Sequence, residues 1–172
     1  MDVFTRAVAA LRSAGWVHEP APRHSRSVPD VLASLPDVQR SWASSFARLS
    51  SPDDAVWFLA LDDYTDSGDA AFAWNEFETL SRDAAVSDDD EAAVAEFWRR
   101  HCPILCSVRD DYAYLAVGVD GEIVHGVEPE FEATTTVADS LVDLLEAIAH
   151  RSELLPVVET LLFPARATGS RN

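Results

Sequence analysis

The spacing of apolar residues predicts two helices in the first third of the chain. In residues 2–14 apolar side chains recur at helical spacing, with Asp2 as the N-cap and Gly15 as the stop signal. The segment 18–30 is rich in proline, serine and arginine, which is typical of a connector. A second helix is expected from Pro36, because proline suits the first helical position. Its apolar face would hold Trp42, Phe46 and Leu49.

The middle of the chain predicts one buried strand followed by two helices. The apolar, β-prone run VWFLAL at 56–61 is typical of a buried strand. After a polar loop, residues 75–85 read as helical. Residues 88–100 carry the clearest helix signals, with Ser87 as N-cap, acids in the first turn and two arginines in the last.

The stretch that follows predicts an antiparallel hairpin. Residues 104–109 and 113–119 are β-prone, and Asp120-Gly121 separates the second run from EIVHGV with the spacing of a two-residue turn. Residue numbers of opposed positions then sum to 241. Tyr114 and His125 would share one face of the hairpin, which we expect to be only partly covered.

A last helix and a short tail complete an α+β pattern. Residues 137–149 are predicted to form a helix with an apolar stripe. Thr136 and Asp139 resemble a capping box at its start. A helical tail, interrupted by Pro156, follows. The predicted fold class is α+β: one domain over residues 1–172, with a central, largely antiparallel sheet and flanking helices. Its parts would be N-terminal helices at 2–50, sheet and helices at 56–149, and a C-terminal helical tail at 150–163.

Net charge restricts the kinds of partner. The chain of 172 residues carries a formal charge of −17, and all 13 of its basic residues are arginine. Such a charge repels nucleic-acid phosphates and anionic membranes, and it favours a basic protein partner. The alternative is that the acids serve only solubility. The absence of lysine excludes lysine-based catalysis.

The same sequence predicts a cytoplasmic protein. The N-terminal segment lacks the pattern of a signal peptide, and no apolar run approaches the roughly 20 residues that span a bilayer. Two cysteines are too few for a disulfide framework, which fits a reducing compartment.

The sequence predicts neither a metal site, nor a cofactor site, nor catalytic residues. His101, Cys102 and Cys106 have poor spacing for zinc. The acidic loop Asp62–Asp69 fails the EF-hand pattern in either register. Paired carboxylates are expected by chance among 30 acids, and no phosphate-binding glycine loop is present. His125 is read as a packed strand residue.

Acidic residues are concentrated in one segment, Asp53–Glu96. It holds fourteen acids and a single arginine, a net charge of −13, whereas the other 128 residues have a net charge of −4. We expect its exposed acids to contact a basic partner, although helix capping alone explains acids at 88–90. The candidate contact residues are Asp62, Asp63, Asp66, Asp69, Asp88, Asp89 and Asp90. If the acids serve only solubility, the partner would dock around Tyr114 and His125.

Several short motifs between 94 and 149 resemble the C-terminal half of the SUKH superfamily, and a weaker likeness covers 35–61. The matching features are Tyr112-Ala113-Tyr114, Asp120-Gly121, Glu128-Pro129-Glu130-Phe131 and Val137-Ala138. That group includes bacterial immunity proteins and fungal cell-wall synthesis regulators. The resemblance implies an α+β fold and a non-catalytic role, in which an immunity protein binds and neutralises a toxin, often a nuclease, of a competing bacterium.

Three functions therefore stay open at the level of sequence. The first is an immunity protein that neutralises a basic toxin domain. The second is a regulatory or scaffold module with an endogenous partner, as in the fungal relatives. The third is a small hydrolase.

Overall fold

A computed structural model describes residues 1–22, 27–33, 35–65 and 72–164, which form a single α+β domain around an antiparallel sheet. The helices of this part of the chain are α1 (Val3–Ser13), α2 (Asp30–Ala33), α3 (Asp37–Ala43), α4 (Glu76–Ala84), α5 (Asp88–Arg100), α6 (Leu141–His150) and α7 (Pro156–Leu162), with a 3₁₀ turn at Leu61–Tyr64. The strands are β1 (Val17–Pro20), β2 (Phe46–Ser50), β3 (Val56–Phe58), β4 (Cys102–Ser107), β5 (Ala113–Val117), β6 (Ile123–Val127) and β7 (Thr135–Ala138).

The seven described strands form a meander, with each strand paired to its neighbour in sequence. A row of facing residues crosses one side of the sheet: Leu49, Phe58, Leu105, Leu115 and His125. On this side Phe58 packs against Trp42 of α3, with ring centroids 5.3 Å apart, and against Trp16, at 5.8 Å. Because neighbouring strand residues point to opposite faces, Trp57 lies on the other side.

The opposite face of the sheet is covered by α4 and α5. Tyr114 of β5 is fully buried there, with ring centroids 5.3 Å from Phe77 of α4 and 4.9 Å from Trp98 of α5. Its hydroxyl donates to the Phe131 carbonyl at 2.5 Å. The sheet is therefore the middle of three layers, and both of its faces are packed.

The β5–β6 hairpin is present, but its predicted register is wrong by one residue. Tyr114 pairs with Gly126 and Leu115 with His125, so opposed numbers sum to 240. The Gly121 amide donates to the Gly118 carbonyl, and the Gly118 amide donates to the Glu122 carbonyl. This is a three-residue loop in which Asp120 has no positive φ and Gly121, at φ 87°, ends a turn. Gly121 needs the left-handed region as predicted, but in a different turn.

The expected N-terminal run of helices over 2–50 is wrong at two places. Residues 17–20, predicted as connector, form the edge strand β1, which pairs with β2. The second helix ends at Ala43, so Phe46 and Leu49 belong to a strand instead of the helical face of Trp42. All three side chains are nevertheless buried in the core, as their apolar character requires.

Helix α6 begins later than the helix predicted at 137–149. Residues 135–138 form β7, and α6 starts after Ser140, whose hydroxyl accepts from the Asp143 amide at 3.2 Å. The capping pair is therefore Ser140 and Asp143 instead of Thr136 and Asp139. Pro156 does not interrupt the tail: it opens α7 at the first helical position.

Local signals located α1, α4 and α5 correctly, whereas the short helix α2 was not predicted. Helix α1 begins behind Asp2, whose carboxylate accepts from the Thr5 amide at 3.0 Å. Helix α5 begins behind Ser87, whose hydroxyl accepts from the Asp90 amide at 3.2 Å. Helix α4 lies within the predicted 75–85.

Candidate functional site

Arginines neutralise part of the acidic segment. Among the described residues, five of its carboxylates form these ion pairs: Asp53 with Arg109, Asp54 with Arg48, Glu78 and Glu91 with Arg82, and Glu96 with Arg99. Three of these arginines come from outside the segment, so the sequence count of one base understates its neutralisation.

Asp53 forms the most constrained of these pairs. Both its oxygens accept from the Arg109 guanidinium, at 2.8 and 2.9 Å, and Arg109 also donates to the Leu161 carbonyl at 3.0 Å. The hydrogen bonds from Arg109 hold the pKa of Asp53 well below its usual range. This carboxylate stabilises the fold by joining the β2–β3 turn to the β4–β5 loop and α7.

In the acidic loop after β3, one predicted contact residue, Asp63, has a structural role. Asp63 accepts from the Ala60 amide at 2.7 Å, which holds the 3₁₀ turn. The residue is exposed by surface area, yet desolvation of its carboxyl raises its pKa. Asp62 is exposed on the same turn. The predicted contact residues Asp66 and Asp69 lie outside the described residues.

The turn from α4 to α5 carries exposed acids around one exposed apolar side chain. We call residues 83–90 the acidic corner. Asp83, Asp88 and Asp89 are exposed there and have no ion pair within the described residues. Val86, between them in sequence, is 92% exposed. Asp90 instead accepts from the Ser87 hydroxyl at 2.8 Å and helps to cap α5.

Tyr114 and His125 do not share a surface, which corrects the predicted half-covered hairpin face. Tyr114 pairs with Gly126 and points into the α4–α5 layer, where it is fully buried. His125 pairs with Leu115 and lies on the opposite face of the sheet. Tyr114 is therefore a core residue and no contact site.

Several of the residues that carry the family resemblance lie at the open end of the β5–β6 hairpin, opposite its Asp120-Gly121 turn. The Tyr112 amide donates to the Glu128 carboxylate, and the Glu128 amide donates to the Tyr112 carbonyl, both at 2.9 Å. The Phe131 side chain is buried against Phe77, and the Phe131 carbonyl accepts a hydrogen bond from the Tyr114 hydroxyl. The peptide bond between Glu128 and Pro129 is cis. These motif residues tie the segment after β6 to β5.

A groove lies beside His125, between the sheet and α7. Its volume is about 450 Å³. We call it the His125 groove and define it by Ser107, Arg109, Asp110, Asp111, Ala113, His125, Val127, Pro156, Val157, Thr160 and Leu161. A second cleft, of about 630 Å³, surrounds the Asp53–Arg109 pair, whose charges already compensate each other.

The cysteines are not placed for catalysis. Both are free and buried, and burial raises the pKa of Cys102 to about 12 and that of Cys106 further. A thiol with such a pKa stays protonated near neutral pH and is a poor nucleophile. Within the described residues, no group of three or more His, Cys, Asp or Glu side chains is arranged to hold a metal ion. None of the helices described is both long and apolar enough to cross a membrane.

Comparison with known proteins returns no match, whether to family models, to curated proteins or to solved structures. We therefore infer the function from the surface of this protein. Two features of that surface were not predicted: Val86 at the acidic corner and Asp110 with Asp111 beside His125. An apolar residue directly before the helix cap Ser87 and its three following aspartates was the available signal for Val86. Nothing local to the acids at 110 and 111 indicates a groove, because α7 supplies its other wall.

Proposed function

We propose that this chain is a non-catalytic binding protein that neutralises a basic toxin domain, as the resemblance to SUKH immunity proteins implies. The observation that carries the proposal is the acidic corner, where three exposed aspartates without ion pairs in the described structure flank the exposed Val86 in sequence. In a protein of net charge −17 this corner presents both long-range attraction and an apolar contact.

The distribution of ion pairs supports the choice of this surface. Acids that stabilise the fold are paired with arginine or hold backbone amides, as Asp53 and Asp63 do. Asp88 and Asp89 have no such role beyond the favourable position of any acid at a helix N-terminus. Their charge is available to attract a basic partner.

The buried thiols support a role without catalysis. Cys102 and Cys106 are protonated and enclosed by the core, so neither serves as a nucleophile. Free cysteines also fit the proposed cytoplasmic location, where an immunity protein meets an incoming toxin.

The test measures association with the toxin domain encoded beside the gene. The variant Asp83→Asn/Asp88→Asn/Asp89→Asn removes three charges from the acidic corner. We expect association at low salt to slow on the order of three- to ten-fold, with a flatter dependence on salt, because exposed charges act mainly on the encounter rate. Stopped-flow fluorescence at several salt concentrations gives both quantities.

A matched control removes three exposed acids from elsewhere: Asp120→Asn/Glu130→Gln/Asp139→Asn. Both triple variants have the same net charge, so a general charge effect slows them equally. Equal slowing would reject the acidic corner as the contact surface. A neighbouring gene product that is no toxin, or a toxin that does not bind, would reject the proposed function itself.

A further inference from the structure

The His125 groove contains a polar side chain that the fold leaves without a partner. His125 is only 9% exposed. Its ring has no hydrogen bond, ion pair or ring contact within the described residues, although it lines the groove. Each imidazole nitrogen is a donor or an acceptor. Neither nitrogen is among the fully enclosed polar atoms of the described residues that lack a hydrogen-bond partner, so both are open to the groove. The ring is thus mostly buried, and its polar atoms remain accessible to a group that enters the groove.

The surroundings of His125 define the chemistry of a matching group. Apolar side chains form much of the groove, with Val127 on the sheet side and Val157 on α7, the latter 38% exposed. Burial lowers the pKa of His125, so the ring is neutral near pH 7 and keeps one nitrogen as an acceptor. The groove therefore offers an apolar wall beside a hydrogen-bond acceptor.

The rim of the groove is anionic. Asp110 and Asp111 are exposed and form no ion pair within the described residues. Arg109 also lines the groove, and its charge is compensated by Asp53. A long side chain with an apolar stem and a cationic head complements both the walls and the rim, and arginine supplies enough donors to reach a carboxylate and an imidazole together.

We propose that the His125 groove is an anchor site for an arginine side chain of a protein partner. The inference rests on the proposed function for the identity of that partner as a basic toxin domain. The stem of the arginine packs against Val127 and Val157, and its guanidinium pairs with Asp110 or Asp111 and donates to His125.

A probe tests the groove without any toxin. The probe is N-acetyl-arginine methylamide, in which both backbone ends are blocked and the guanidinium is the only charge. It is titrated into the full chain while the histidine ring protons are followed by NMR. The chain has five histidines, and the signal missing from His125→Leu assigns the one of interest. We expect a saturable shift of the His125 signal in the millimolar range, at least ten-fold weaker for the citrulline analogue, which has the same shape and no charge.

Two variants separate binding from folding. His125→Leu removes the acceptor and keeps a side chain that can pack in the same place, so we expect arginine binding to fall at least ten-fold while the denaturation midpoint changes little. His18→Leu is the matched control, because His18 occupies the same cross-strand row on the edge strand β1 and lies outside the groove. Asp110→Asn/Asp111→Asn should weaken binding of the arginine probe and reduce its salt dependence.

The results distinguish this inference from the proposed function. Equal binding of arginine and citrulline, or no shift of the His125 signal, overturns the arginine site even if the acidic corner still controls toxin association. A saturable, charge-dependent shift supports the site even if the neighbouring gene encodes no toxin. A marked loss of stability in His125→Leu would make His125 a packing residue and would also overturn the inference.

Discussion

Replacing Gly126 by alanine tests the register of the β5–β6 hairpin, which was predicted wrongly by one residue from the sequence. Gly126 faces Tyr114 across β5 and β6, and the Tyr114 ring lies over it. A Cβ at position 126 would overlap ring atoms Cε1 and Cζ and the hydroxyl of Tyr114. The ring cannot swing away, because Phe77 and Trp98 pack against it and its hydroxyl is bonded to the Phe131 carbonyl.

The expected loss follows from overpacking a closed core. An added methyl group in such a site costs about 1–3 kcal/mol, which outweighs the roughly 0.5–1 kcal/mol that alanine gains over glycine within a strand. In a Tyr114→Leu background the overlapping atoms are gone, so the same Gly126→Ala change should become neutral or slightly stabilising. The coupling energy between the two positions is then the overpacking cost itself, about 1–3 kcal/mol.

Urea denaturation followed by tryptophan fluorescence supplies the four free energies of unfolding. Gly118→Ala is the matched control, because the atoms nearest to its added Cβ belong to the Glu122 carboxylate, the far end of a flexible side chain. If Gly126→Ala costs no more than Gly118→Ala, or if its cost persists in the Tyr114→Leu background, the Tyr114 ring does not lie over Gly126. The register that sums to 240 would then be wrong, and Val127 would stand opposite Tyr114.

Two further predictions concern the ion pair beneath the β2–β3 turn and the buried thiols. Because Arg109 lowers the folded-state pKa of Asp53, the stabilisation is complete above the ordinary aspartate pKa of about 4 and is lost as pH falls through the folded-state value. Asp53→Asn should therefore lower the free energy of unfolding by about 1 kcal/mol at pH 7, a modest value because the carboxylate is half exposed. The loss should be smaller at pH 3. A loss of stability that is the same at both pH values contradicts the pairing. Cys102 and Cys106 should not react with a thiol reagent in the native protein at pH 8 and should both react in urea, as measured by absorbance of the released chromophore. Rapid labelling of either thiol without unfolding would refute its burial.

Helices with local determinants were predictable from the sequence. The starts of α1 and α5 depend on one capping side chain each, Asp2 and Ser87, within three residues of the amide that each holds. Such a contact is encoded in adjacent positions, so it can be read without the rest of the chain. The α+β class follows from the same local patterns.

Strand assignments failed where pairing comes from distant residues. The run at 46–50 fits helical periodicity, yet it pairs with β1 on one side and β3 on the other, and these partners decide its conformation. The run at 17–20 has no strand pattern of its own. The hairpin register depended on whether Gly121 ends a two-residue or a three-residue loop, and both loops place this glycine at positive φ.

The candidate site divides in the same way. The concentration of acid between 53 and 96 is a property of the sequence, and so is the expectation of a basic partner that it supports. Only the tertiary structure separates Asp53, held by an arginine 56 positions away, from Asp88 and Asp89, which have no such partner in the described structure. It also moves His125 away from Tyr114 and sets it beside α7, because one residue of register reverses the face of every side chain in a strand.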